Sequence, residues 1–400
     1  MDTSFSPNPG LNRAVELLQQ PSATRVALPK TCPEQGIGET QALEQLAPYV
    51  LGDAAPLDSP EAIAHMDPPT PWITWATAMW NARLNQNLLH PSTAPFATQA
   101  EERVLSWLTP FFGMGGGHFC SGSTLANLTA LWAARDTVGI KQVVASKAAH
   151  ISIEKAARIL GLPYRQVLTN SQGQIDPNQL GDLSDAALVL IAGTTTTGAI
   201  DPLDLAQQAK WTHVDAAWGG PLRLSRTHAH LLEGIQAADS VTISAHKWLF
   251  QPKESALVMF RQPQQANEAI SFGGSYLATL NIGLQGSRGA AAVPLLATLL
   301  AWGREGMAAR IDRTMAIAQQ LAEAIASMEN LELWAQPTTG ITLFRPTHRS
   351  VEAVYQHLPT GMLSTATVQG KPWLRSVTAN PMADVHQIAN AIHNAMTLQN

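Results

Sequence analysis

An unbroken apolar run, Ala-Ala-Leu-Val-Leu-Ile-Ala at 186–192, constrains the fold more than any other stretch of this chain. A strand with one wet face alternates apolar and polar residues. A continuous apolar run of strand length therefore belongs to a sheet covered on both faces, as parallel sheets are. The pattern repeats: a strand at 141–146 leads into a helix at 149–161 that Gly161 closes, and the cycle continues through 204–210, 211–215, 240–244 and 256–260. Alternation of this kind predicts an α/β fold with a mainly parallel sheet flanked by helices. In such folds the functional site lies at the carboxyl ends of the strands.

Composition narrows the class. With 45% hydrophobic and only 14% charged residues, 400 residues suffice for a large buried core. A net charge of −5 supplies no basic field, so neither nucleic acid nor an anionic membrane is expected as a partner. Cys32 and Cys120 are too few for a disulfide framework, which fits a reducing, cytoplasmic location. The opening residues contain no signal-peptide pattern, and the apolar stretch at 290–302 is broken by Pro294 and falls short of a membrane span. No Gly-x-Ser-x-Gly elbow and no His-Glu-x-x-His metal motif is present, so hydrolase chemistry is poorly supported and no metal site is expected.

Two short stretches carry chemistry. The first, Asp-Ser-Val-Thr-Ile-Ser-Ala-His-Lys-Trp at 239–248, reads as a strand that breaks into a small-residue turn bearing His246 and Lys247. A lysine between a buried strand and an aromatic residue is costly to keep as a cation, and a neutral amine is the nucleophile that forms a Schiff base with an aldehyde. The second, Trp-Thr-His-Val-Asp-Ala-Ala-Trp-Gly-Gly at 211–220, is a strand ending in Asp215, beside Ala216 and Ala217. An acid at that strand end suits a flat ring lying on backbone with its nitrogen toward the carboxylate. Pyridoxal phosphate needs such a lysine and such an acid. A third stretch places Ser123 or Thr124 where a helix N-cap belongs, after the glycine-rich 115–122. Free N–H groups at a helix start suit a phosphate. Each feature also has a bland reading: a lysine stem on an apolar patch, or a bare glycine turn.

Taken together, His-Val-Asp-Ala-Ala-Trp-Gly-Gly at 213–220 and Ser-Ala-His-Lys-Trp at 244–248 resemble the signature of the group II pyridoxal-phosphate-dependent amino-acid decarboxylases. The resemblance covers 66–260 well and the remainder weakly. It implies the fold type I architecture, a homodimer and an amino-acid substrate. It also implies pyridoxal 5'-phosphate bound by Ser123, Thr124, His150, Thr195, Asp215, Ala217, Ser244, His246 and Lys247. The family's phosphate-cup motif is matched at 121–127 with two departures, Ser123 for a glycine and Leu125 for an acidic residue. His150 matches the family histidine that stacks on the cofactor ring, and Thr195 aligns with a Gly-Thr-Thr run. Tyr276, in the glycine-rich 271–280, corresponds to a loop tyrosine proposed to protonate the substrate carbanion. Arg288 and Arg375 are the candidates for the substrate carboxylate, Arg375 having a surface salt bridge as its alternative.

The expected organisation is an N-terminal arm (1–64), a cofactor-binding large domain (65–306) and a small C-terminal α+β domain (307–400). The expected activity is decarboxylation of an L-amino acid to its amine, with Lys247, His150, Asp215 and Tyr276 as the catalytic set. Fold alone does not choose the bond that breaks, so an aminotransferase or lyase is the alternative enzyme. A catalytically silent binding protein is the alternative of another class, and retention of Lys247, Asp215 and His150 together opposes it.

Overall fold

The computed structural model describes residues 10–20 and 24–398. It divides into two compact units, Met1–Pro56 and Leu57–Asn400. In the first, α1 (Gly10–Gln19) and α2 (Glu39–Val50) are joined by Arg13 Nε donating to Glu44 Oε1 at 2.9 Å. The pair is exposed, and such pairs contribute at most about 1 kcal/mol. Residues 57–64, read from sequence with the arm, belong to the second unit. There Val377 N donates to Ile63 O at 2.6 Å and Asp384 N to Pro60 O at 2.8 Å.

The second unit opens with α3 (Trp72–Leu84) and α4 (Pro95–Leu108). Next come β1 (Gly116–Cys120), α5 (Ser123–Val138), β2 (Gln142–Ser146), α6 (Ile151–Ile159), β3 (Tyr164–Val167) and β4 (Ala186–Ile191). The series continues with β5 (Trp211–Asp215), β6 (Ser240–Ile243) and β7 (Ala256–Phe260). These strands form one seven-stranded sheet in the order β1-β7-β6-β5-β4-β2-β3. Neighbours from β6 through β3 run parallel, whereas β7 is antiparallel to both β6 and β1. All of β4 is buried, as its apolar run requires. The fold is the expected fold type I α/β architecture.

Strand β1 is a departure from the sequence reading, which took 115–122 as a glycine-rich turn. A Cβ on Gly117 would sit 2.1 Å from Val258 O, so only glycine lets this backbone come close to β7. The glycines signal close approach there, not a bend.

After α7 (Pro263–Ala269), the short strands β8 (Ser271–Phe272) and β9 (Asn281–Ile282) pair as a hairpin across 273–280. Helix α8 (Ala292–Ser327) is interrupted at Gly303, where φ is 62°. This interruption divides α8 into two helical segments. A second, antiparallel sheet has the order β10-β11-β13-β12, from β10 (Leu331–Leu333), β11 (Ile341–Pro346), β12 (Ser364–Val368) and β13 (Lys371–Val377). It packs with α9 (Val351–Tyr355) and α10 (Val385–Thr397) around Leu321, Phe344, Leu374, Ile388 and Ile392. Among the described residues no helix is long and apolar enough to cross a membrane.

The two motifs that carry the chemistry are locked together by their tryptophans. Trp218 and Trp248 stack with ring centroids 4.2 Å apart and planes 11° from parallel. Such a pair contributes about 0.5–1.5 kcal/mol beyond its burial. Trp218 Nε1 donates to Thr339 O at 2.7 Å and Trp248 Nε1 to Thr314 Oγ1 at 2.9 Å, tying both motifs to the chain beyond Gly303. Gly219 N donates to Ala192 O at 2.9 Å, and a Cβ on Gly219 would fall 2.4 Å from that same oxygen. Gly219→Ala is therefore expected to cost about 1–3 kcal/mol by overpacking against backbone. The measurement is the urea midpoint, and an unchanged midpoint would show that the turn has room to move.

Candidate active site

The carboxyl ends of β4 and β5, the turn after β6 and the start of α5 enclose one cavity. Ser123, Asn127, His150, Ile191, Gly193, Thr195, Asp215, Ala217, Trp218 and Lys247 line it. Parallel strands present their carboxyl ends on one edge, so residues far apart in sequence meet there.

Lys247 is half-buried, and removal of its amine from water lowers its pKa below the ordinary lysine value, while Asp215 opposes that shift. Among the described residues its Nζ has no hydrogen-bond partner. A poorly solvated amine without a partner is ready to attack a carbonyl carbon. Nearby Lys253 is already committed, its Nζ lying 2.5 Å from Asp67 Oδ1.

Asp215 is 5% exposed, and both of its oxygens are held. Asn127 Nδ2 donates to Oδ2 at 2.9 Å and Ala217 N to Oδ1 at 3.1 Å. His150 is the N-cap of α6. Its Nδ1 accepts from Ser152 N at 3.2 Å and lies 2.8 Å from Ser152 Oγ. Burial lowers the His150 pKa, against the pull of Asp215. The imidazole is therefore neutral at pH 7.

The start of α5 forms the other end of the site. Its N-cap is Gly122, not the expected Ser123 or Thr124, and no side chain caps it. Ser123 Oγ instead donates to Ser244 Oγ at 2.8 Å. Ser255 N donates to His246 Nδ1 at 3.1 Å, which leaves the His246 proton on Nε2, 3.2 Å from Ser244 Oγ. Burial pushes the His246 pKa down to about 4, so this imidazole is neutral. Ser244 accepts from both neighbours, and its own hydroxyl hydrogen remains to be donated. That hydrogen and the first-turn N–H groups of α5 make a donor set for an anion. An aldehyde-seeking amine, a carboxylate and an anion cradle around one cavity fit the three ends of pyridoxal phosphate.

The remaining expected residues are placed differently. Thr195 lines the cavity, and its carbonyl accepts from Arg375 Nε at 2.8 Å. Arg375 Nη1 donates to Ala64 O at 3.2 Å and Ser364 Oγ at 3.1 Å, and no carboxylate among the described residues pairs with it. Burial pushes its pKa down to about 10. Thr124 faces a neighbouring hollow with Ser121 and Lys155. Arg288 does not line the Lys247 cavity, because it is held in a largely buried ion pair with Glu101. Tyr276 is 72% exposed in the 273–280 loop and is not brought to the cavity of its own chain. Sequence reading missed Asn127 and Gly193. Asn127 sits one turn into α5, where its Ala-Asn context was noted without a role. At Gly193, φ is +99° and a Cβ would meet the Trp218 ring at 2.8 Å.

Comparison with known proteins places the chain among relatives. The family model for the pyridoxal-dependent decarboxylase conserved domain matches residues 21–347. The chain is 32% identical over 409 residues to L-2,4-diaminobutyrate decarboxylase of Rhizobium meliloti (strain 1021), covering 90% of this chain and 82% of that protein. It is 29% identical over 453 residues to aspartate 1-decarboxylase of Aliivibrio fischeri (strain ATCC 700601 / ES114), covering 92% and 83%. The crystal structure of Oryza sativa TDC with PLP and tryptamine has the same fold, with a TM-score of 0.85 at 19% identity over 97% of each chain.

Proposed function

The chain belongs to the pyridoxal-dependent decarboxylase family, and from that premise we propose that it releases the α-carboxylate of an L-amino acid as carbon dioxide, leaving the amine, with Lys247 as the covalent anchor of the cofactor. The observation that carries this reading is the meeting of Lys247, Asp215 and His150 around one cavity. Pyridoxal phosphate supplies the aldehyde that condenses with amines and the ring that takes up the electrons of the broken bond.

The protein's own residues do the rest. Lys247, desolvated and without a hydrogen-bond partner at Nζ among the described residues, is the amine that would hold the cofactor's aldehyde. Asp215, aimed by Asn127 and Ala217, is the carboxylate that would face the ring nitrogen and hold a proton there. His150, neutral and anchored through Nδ1, lines the same cavity and would cover one face of the ring, leaving Nε2 for the substrate. Arg375 has its Nε and Nη1 tied to Thr195, Ala64 and Ser364, which fixes the guanidinium beside the cavity. Its unpaired Nη2 is the donor for a substrate carboxylate. Ser123, Ser244 and the α5 start hold the phosphate, and neutral His246 supports Ser244 from behind.

The test is a screen of purified holo-protein with the common L-amino acids, 2,4-diaminobutyrate, aspartate and cysteine sulfinate, scoring labelled carbon dioxide and amine together. Stoichiometric carbon dioxide and amine from one substrate class is the expected result. Turnover that depends on an added keto acid and releases no carbon dioxide would replace this reading with transamination.

A further inference from the structure

The ring-nitrogen acid does not stand alone. Trp211, His213 and Asp215 alternate along β5 and therefore share one face of the sheet, beneath α5. A file of polar atoms runs along that buried face. Trp211 Nε1 lies 2.9 Å from Ser240 Oγ, Ser240 Oγ 2.9 Å from His213 Nδ1, and His213 Nε2 3.1 Å from Asn127 Oδ1. Asn127 Nδ2 then reaches both Asp215 Oδ2 at 2.9 Å and Ser152 Oγ at 3.0 Å. Asn127, His213 and Ser240 are fully buried, so water cannot repair a wrong hydrogen-bond direction.

The direction of every bond is set by the two ends. A carboxylate only accepts, so the Asn127 amide must turn its nitrogen to Asp215 and its oxygen to His213. His213 must then carry a proton on Nε2. Burial pushes its pKa down to about 4, so it carries that proton alone and Nδ1 accepts from the Ser240 hydroxyl. Ser240 Oγ is left to accept from Trp211, an indole that only donates. No donor or acceptor in the file is left over. The reverse order would set the Asn127 oxygen against the Asp215 carboxylate and leave a buried hydroxyl unpaired.

We propose that Asn127, His213 and Ser240 form a one-way positioning relay that locks the Asn127 amide, so that Asp215 always meets a donor behind it and faces the ring nitrogen in a single orientation. The relay rests on the reading of Asp215 given above and deepens it. A branch reaches the second ring-side group. The other Asn127 N–H goes to Ser152 Oγ, which leaves the Ser152 hydroxyl hydrogen for His150 Nδ1, where Ser152 N also donates. His150 consequently carries its proton on Nε2. One amide thus sets the acid at the ring nitrogen and braces the imidazole beside it.

The experiment is long-range proton–nitrogen correlation spectroscopy on holoenzyme labelled at the histidine nitrogens. Wild-type His213 and His150 are expected as Nε2–H tautomers. Asn127→Leu removes the acceptor at Nε2, so His213 should turn to the Nδ1–H form. The same variant should bind pyridoxal phosphate roughly 10- to 100-fold more weakly, because a hydrogen bond to a charged group is lost. Ser152→Ala leaves the Asn127 bonds to Asp215 and His213 in place, and His213 should stay as in the wild type. An Nδ1–H His213 in the wild type overturns the relay. A folded Asn127→Leu that keeps the wild-type tautomer and cofactor affinity also overturns it. If Asn127→Leu does not fold, the wild-type tautomer decides by itself. Tautomers are read on protein nitrogens, so a failed relay is distinguishable from a wrong assignment of Lys247, which borohydride trapping tests separately.

Discussion

Lys247→Ala is expected to abolish carbon dioxide release, with a loss of at least about 10⁴-fold, the scale seen when a covalent nucleophile is removed. Lys253, near enough to bear on the Lys247 amine, is paired with Asp67 at 2.5 Å. Lys247 Nζ makes no hydrogen bond among the described residues, the backbone bonds of Lys247 survive the substitution, and the Trp218–Trp248 stack does not pass through its side chain, so the variant should fold. Borohydride reduction followed by peptide mass mapping is the decisive measurement. In the wild type the reduced cofactor should map to the peptide containing Lys247, and in the variant it should be absent from the protein. A reduced adduct that persists in Lys247→Ala would assign the anchor to another lysine and sink the proposed role.

Asp215→Asn is expected to lower kcat/KM by roughly 10³-fold while the cofactor still attaches covalently to Lys247. The side chain keeps its shape but loses its charge, and its amide nitrogen would now confront one of the two donors, Asn127 Nδ2 or Ala217 N, while its oxygen still accepts from the other. The ring nitrogen then has no anion to hold its proton, so the site stabilises less of the charge that develops as the carboxylate leaves. Single-turnover carbon dioxide release separates chemistry from binding, and the loss should fall on the chemical step. Turnover at the wild-type rate would mean that this carboxylate does not face the ring nitrogen.

Much of this site could be read residue by residue, and the reasons differ where it could not. Lys247, Asp215 and His150 stand at strand or helix ends whose periodicity is strong, so their convergence follows once the sheet is parallel. Strand β1 was hidden because glycine marks both a turn and a close backbone approach, and only the neighbouring β7 distinguishes them. Arg288 and Arg375 looked equivalent by residue type, and Tyr276 was singled out only by its place in a glycine-rich loop. The fold gives Arg288 to Glu101, leaves Tyr276 exposed on its hairpin and sets Arg375 beside Thr195. Asn127 carried no local signal, because its amide acquires meaning only from Asp215 and His213, both more than eighty residues away.

What the amino-acid sequence by itself determined was the class of chemistry and the layered α/β plan. A desolvated lysine, a strand-end acid and an apolar strand core are local facts about residue type and period. What only the tertiary structure decided was which polar groups are already spoken for. Hydrogen-bond direction and ion pairing depend on the partner opposite, and partners here are brought together by sheet order and by the Trp218–Trp248 stack, neither of which is written into any single stretch.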